Sequence, residues 1–219
     1  ERDITDRYLT DVTSDIVLAR PLKIAIDCGN GAGGELAPQL FKQLGCEVTP
    51  LYTEIDGNFP NHAPDPGNPD NLADLIRIVQ QENLDLGLAF DGDADRAVFV
   101  DETGKPISSD LITALLARRV LRRNPGGLVL YDLRSSRVVA EEIEAGGGVA
   151  AMSRVGHSFV KAQMRETGAV FGGELSGHFY FRFSPTLIAD DAVAALVALL
   201  DVLVEEKQPL SNLVNPLRR

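Results

Sequence analysis

Residues 89–96 read AFDGDADR, with Asp91, Asp93 and Asp95 at alternate positions and Arg96 directly after them. Like charges this close repel and raise one another's pKa unless something positive sits among them. A calcium loop of the EF-hand kind would use acids at positions 1, 3 and 5 and Glu102 at position 12. Arg96 then occupies position 6, where that loop turns on glycine, and the flanks read as strands where it needs helices. A solvated acidic turn is the plainer alternative, but it leaves three carboxylates with one guanidinium. A magnesium site serving phosphoryl transfer accounts for every charge. The alternating acids present hard oxygens to one face of the ion, and Arg96 orients a phosphate oxygen by charge-assisted hydrogen bonds.

Other stretches carry groups of the same kind. GGELSGH sets Glu174, Ser176 and His178 at alternate positions between two strand-like runs, so that all three can face one way. Carboxylate, hydroxyl and imidazole together suit vicinal sugar hydroxyls, although a polar turn with a surface histidine would be spelled similarly. RVGHSFVKAQM puts His157 at a glycine turn before a helix, where a cap or surface role competes with a catalytic one. YDLRSSR puts Arg134 and Arg137 after a strand, in reach of a phosphate or carboxylate. DCGNGAGG spells Gly29-x-Gly31-x-x-Gly34 between a strand and a helix, with Glu54 downstream. That is the dinucleotide-binding pattern, and an NAD(P)-dependent oxidoreductase is the alternative it raises. Asp27-Cys28 interrupts the strand-to-turn passage, however, and a Pro-rich loop replaces the next βαβ unit. Glycines that let a tight turn pack closely on its helix explain the pattern better.

The elements that must carry these residues repeat. Residues 22–52 read as strand, glycine turn, helix and strand, with Leu36, Leu40, Phe41 and Leu44 at helical spacing and Gly45 as the stop. A loop too rich in Pro, Gly and Asn to be regular follows, then a helix over 72–81, a buried strand, the acidic loop and a hairpin. A helix over 110–123 restarts the order. Asp132 after LVLY matches Asp27 after LKIAI, and GAVFGGELSGHFYFR matches LGLAFDGDADRAVFV as strand, polar loop, strand. A closing Ala/Leu/Val-rich helix runs from Asp190 to Glu206. The fold class expected is α/β in two similar domains, each a mixed β-sheet flanked by helices, over 1–106 and 107–219. Ligands of such sheets bind at loops beyond the carboxyl ends of strands, which is where the chemistry-bearing motifs fall.

The chain has 219 residues and a net charge of −11, which argues against nonspecific binding to nucleic acid or anionic membranes. It has no apolar stretch near the ~20 residues of a membrane span and no signal-peptide pattern at its start. Cys28 and Cys46 lack metal-ligand or CxxC spacing and read as free thiols of a reducing, cytoplasmic compartment.

Taken together, DCGNGAGG, DGNFPNHAPDP, LAFDGDADR, RVGHSFVKAQM and GGELSGH, in this order, resemble the α-D-phosphohexomutases of the phosphomannomutase/phosphoglucomutase type. The resemblance runs from about Leu22 to the end and covers the second and third of that family's four domains. It implies that Asp91, Asp93 and Asp95 hold Mg²⁺, that Arg96 steadies the transferring phosphoryl group, and that Glu174 and Ser176 bind sugar hydroxyls. His178, His157 and Arg134 would complete the sugar and proton-handling shell. Arg134 stands where some members carry lysine, and a guanidinium does not act as a base. The implied reaction passes a phosphoryl group between the 1- and 6-positions of a hexose phosphate, through a phosphoserine and a 1,6-bisphosphate. The serine loop of the first domain and the phosphate clamp of the fourth are absent from this sequence. The chain is therefore expected to be inactive alone. A noncatalytic metal-binding module is the remaining alternative.

Overall fold

The structure, a computed structural model, describes residues 5–13 and 20–218. Its first sheet contains β1 (Lys23–Asp27), β2 (Glu47–Leu51), β3 (Leu86–Phe90), β4 (Ala97–Asp101) and β5 (Pro106–Ile107), in the order β2-β1-β3-β4-β5. β1 is parallel to β2 and β3, whereas β3–β4 and β4–β5 are antiparallel. The second sheet contains β6 (Leu128–Asp132), β7 (Val149–Ser153), β8 (Phe171–Gly173), β9 (Phe179–Arg182) and β10 (Ile188–Asp190), in the order β7-β6-β8-β9-β10. Its pairings repeat those of the first, parallel around β6 and antiparallel beyond β8. The repeat read from the sequence is thus a repeat of topology, with two mixed sheets of one plan.

Alternation along the strands assigns their faces. Ile24, Ile26, Leu86, Leu88 and Phe90 point into a core that also holds Val129, Phe171 and Phe179 of the second sheet. Ala25, Ala89 and Val100 face the other way, onto Leu75 and Val79 of a helix over Ala73–Gln81. On the second sheet Leu130 and Tyr180 face outward to Val160 and Met164 of the helix His157–Thr167. One continuous core therefore lies between the sheets. Its spine is the helix Ser109–Arg123, which is buried on nearly every face. Both sheets' contents pack on it, so it has no single inward face.

The helices in chain order are α1 (Thr5–Thr13), α2 (Gly33–Gln43), α3 (Ala73–Gln81), α4 (Ser109–Arg123), α5 (Arg137–Ala145), α6 (His157–Thr167), α7 (Ala192–Glu206) and α8 (Leu210–Val214). Three helix starts differ from expectation, α4 by beginning one residue early at Ser109. Pro69–Leu72 forms a 3-10 turn before α3, because Pro69 opens the turn and Asn68 caps it by accepting from Asp70 N. The closing helix begins at Ala192, since Asp190 ends β10 and Asp191 is the cap, accepting from Ala194 N at 2.9 Å. Tyr8 of α1 donates to the same Asp191 carboxylate at 2.9 Å, tying α1 to the start of α7.

Candidate active site

The acidic loop joins β3 to β4, and the Glu174–His178 segment joins β8 to β9, so the two occupy the same place in their sheets. They also meet. Arg96 and His178 form an antiparallel bridge, and Ala97 N donates to Gly177 O at 3.0 Å. The main chain thereby stitches the acid-bearing loop of one domain to the Ser-Gly-His turn of the other. Across this seam His178 Nε2 lies 3.4 Å from Asp95 Oδ2.

Within the acidic loop one oxygen from each of Asp91, Asp93 and Asp95 falls within 4.8 Å of the others. Asp91 is buried, and Arg96 engages both its oxygens, through N at 3.1 Å and Nε at 2.6 Å. Arg96 Nη1 also reaches Asp65 at 3.4 Å. Burial raises the Asp95 carboxyl above its ordinary value; His178 opposes that rise, while the charges of Asp91 and Asp93 add to it. Arg96 alone thus leaves a net negative, oxygen-only set. A cavity of about 270 Å³ beside the loop is lined by further carboxylates, Asp190 and Asp191, along with Asp93 and Asp95. Hard oxygen donors in this number fit a small divalent cation.

The glycine turn supports this loop. A Cβ on Gly31 would stand 2.5 Å from Gly92 O, and one on Gly34 would stand 2.1 Å from Thr53 O. The missing side chains let Ala32 N donate to Gly92 O at 2.9 Å, so the turn holds the acidic loop from behind.

The other loop is a tight turn in which Gly177 N donates to Glu174 O, and no strand alternation runs through it. Glu174, Ser176 and His178 converge because the chain reverses. Ser176 Oγ lies 3.0 Å from His178 Nδ1. Glu174 is only 1% exposed, and its oxygens accept from Gly156 N at 2.7 Å and from the Tyr180 hydroxyl. His157, the first residue of α6, stacks near His178 with ring centroids 6.4 Å apart and remains exposed. Its Nδ1 stands 3.7 Å from Asp190 Oδ2, and Lys161 Nζ holds the other Asp190 oxygen at 2.9 Å. Asp190 lies in none of the motifs, and Lys161 lies inside RVGHSFVKAQM without standing out there. The i to i+4 spacing of His157 and Lys161 on one helix was the signal available.

Arg134 follows β6 and bonds Asp132 Oδ2 through Nε at 3.0 Å and Nη2 at 2.7 Å. Asp132 is fully buried and also accepts from Ser135 Oγ and from Leu175 N. Burial pushes its carboxyl up, but the bonds from Arg134, Ser135 and Leu175 outweigh that and hold it below the ordinary value. Arg137 is almost wholly exposed and pairs only loosely with Glu141, 3.8 Å away.

Comparison with known proteins assigns both halves. Residues 6–104 match the family model for phosphoglucomutase/phosphomannomutase α/β/α domain II, and residues 108–219 match that for domain III. A phosphomannomutase/phosphoglucomutase of Pseudomonas aeruginosa is 47% identical over 94% of this chain and 44% of its own length. A phosphoglucomutase/phosphomannomutase family protein of Burkholderia thailandensis superposes with a TM-score of 0.93 at 44% identity, over 99% of this chain and 47% of that one. The fold also matches an N-acetylphosphoglucosamine mutase of Aspergillus fumigatus, solved in complex with GlcNAc-6P and magnesium, with a TM-score of 0.66 at 16% identity, over 95% of this chain and 51% of that one. The chain spans about half the length of these proteins or less.

Proposed function

This chain belongs to the phosphoglucomutase/phosphomannomutase family, whose domains II and III its two halves match, and from that premise we propose that it is the metal-binding and sugar-recognition part of a hexose-phosphate mutase. The division between those two domains lies near 106/107, at the end of β5. The reaction moves a phosphoryl group reversibly between the 1- and 6-positions of a hexose phosphate, by way of a phosphoserine and a hexose 1,6-bisphosphate. The serine and the phosphate clamp belong to the family's first and fourth domains, so this chain alone is inactive. The observation that carries the proposal is the seam between the loops, which brings Asp95 within 3.4 Å of His178.

Mg²⁺ bound by Asp91, Asp93 and Asp95 would neutralise charge on the transferring phosphoryl oxygens; the magnesium in the Aspergillus relative supports this choice of ion. Arg96 is anchored to Asp91 and has further N–H groups to give a phosphoryl oxygen. As a sugar hydroxyl oxygen bonds to phosphorus, the serine oxygen leaves with its electron pair and the hydroxyl proton must go to a base. His157 and His178 are the groups suited to take it, because a guanidinium is no base and Arg134 serves instead to bind phosphate or hydroxyl. Ser176 offers its hydroxyl to the sugar beside His178. Glu174 is the sugar-binding carboxylate of the same turn, held in place by Gly156 N and the Tyr180 hydroxyl. Buried free thiols at Cys28 and Cys46 support a reducing, cytoplasmic location. Among the described residues no helix is long and apolar enough to cross a membrane.

The test is ³¹P NMR on the full-length protein with glucose 1-phosphate, Mg²⁺ and a trace of the 1,6-bisphosphate, alongside Asp93→Asn. The 6-phosphate resonance should grow in, with the variant slower by about a hundredfold or more. No turnover with either glucose or mannose phosphates would overturn the proposal. Full turnover by the isolated chain would overturn the claim that it is inactive alone.

A further inference from the structure

The Pro-rich loop over 53–68 is held down at its middle by a pair that the mechanism above does not use. His62 Nε2 stands 3.0 Å from Asp27 Oδ2 and 3.2 Å from Asp27 Oδ1, and His62 Nδ1 stands 2.8 Å from Ala63 O. A carbonyl oxygen only accepts, so Nδ1 carries a hydrogen. The other nitrogen faces a carboxylate that is fully buried at the end of β1 and already accepts from Gly29 N at 2.9 Å. With a neutral ring and an ionised Asp27, a bare nitrogen lone pair would face a bare buried carboxylate. The geometry needs one more proton, on Nε2 or on the carboxyl.

The loop this pair pins also reaches the site. Asn61 Nδ2 donates to Asn30 Oδ1 in the glycine turn at 2.7 Å, Pro64 lies against Gly92, and Asp65 meets Arg96 Nη1 at 3.4 Å. The distal end of Arg96 is thus held by a residue three positions beyond His62.

We propose that Asp27 and His62 share one trapped proton and form a latch that holds the 53–68 loop over the acidic loop, making His62 and Asp65 positioning residues for Arg96. The positioning half rests on the phosphoryl-transfer reading; the latch itself does not. Burial pushes the Asp27 carboxyl up by more than its bonds to Gly29 and His62 pull it down, which is the direction a retained proton requires. The groups facing the pair are Tyr52, edge-on to the His62 ring at 5.4 Å, Asp74 of α3, which accepts from the Tyr52 hydroxyl and from Arg77, and the neighbouring Cys28 thiol. The sign follows from proton counting. Once the loop lifts, a free imidazole gives up its second proton near pH 6.5, so above that pH the latched state binds more protons than the open one. Latch stability is full below that pH and is lost as pH rises and the shared proton leaves.

Ring ¹⁵N and Asp27 carboxyl ¹³C NMR on the chain test the latch directly. At pH 7.5 a proton on His62 Nε2 or on the Asp27 carboxyl is expected; a bare Nε2 beside an ionised Asp27 overturns the proposal. Hydrogen exchange of loop amides, corrected for intrinsic rates, should show opening rise with pH above 7.5, by up to about tenfold per pH unit for the one proton released. His62→Gln, whose amide donates to Asp27 without titrating, should flatten that rise, and His62→Ala should raise exchange at every pH. A rise that persists unchanged in His62→Gln counts against the latch. In the full-length protein, Asp65→Asn should lower kcat about two- to fivefold, and His62→Gln should remove the alkaline fall in kcat. If the proton is present but the full-length protein turns over no sugar phosphate, the functional reading fails and the latch stands. If turnover occurs without the proton at pH 7.5, the latch fails alone.

Discussion

Ala94, inside the acidic loop, has φ +63°, a left-handed conformation held by a residue with a side chain. That costs about 1–2 kcal/mol for an L-residue, of which the greater freedom of glycine in the unfolded chain would take back about 0.5–1. Ala94→Gly is therefore expected to stabilise the chain by roughly half to one kcal/mol, read as a higher denaturant midpoint at unchanged slope. Asp132 is the second residue whose effect can be signed. Its native carboxyl lies below the unfolded value of about 3.9. The stability it contributes is complete above that pH and is lost as pH falls through the native value. Asp132→Ala should cost about 2–4 kcal/mol, and an acid titration of the wild type and variant should converge at low pH. The density of carboxylates made the acidic loop legible in the sequence. His62 was not, because its partner is 35 residues away and only the folded loop brings the two together.

At the scale of elements, the βαβ units were legible because Leu and Ile periodicities change from strand to helix at glycines. β10 was not, since Ile188–Asp190 is too short to show alternation and owes its pairing to β9. The alternation read into GGELSGH failed for a related reason: Gly177, at φ +96°, turns the chain before an extended segment can form. The glycine turn behind the acidic loop yields the third prediction. Gly31→Ala places a methyl 2.5 Å from Gly92 O and must displace the loop. Overpacking of this kind costs about 1–3 kcal/mol. Calorimetric titration with Mn²⁺ should show weaker binding than in the wild type, whereas unchanged affinity would mean that the turn does not set the loop.

For the whole molecule, one core runs between both sheets around α4. The two domains should therefore unfold together, giving a single calorimetric transition with equal van't Hoff and calorimetric enthalpies; two resolved transitions would contradict this. Both cysteines are buried, with thiols pushed up by burial to about 12 for Cys28 and about 11 for Cys46. Neither should react with a thiol reagent at neutral pH until that transition is reached. The sequence showed two similar units, but nothing in its periodicity showed that they share a spine or that their loops are sewn edge to edge. That stitching has a mechanical consequence. A block joined both through its interior, at α4, and along its working edge, at Arg96 and His178, is expected to act as an abutment that moves as one body. On the proposed mutase reading, whatever movement the bisphosphate needs would fall to other parts of the full-length protein, working against this face.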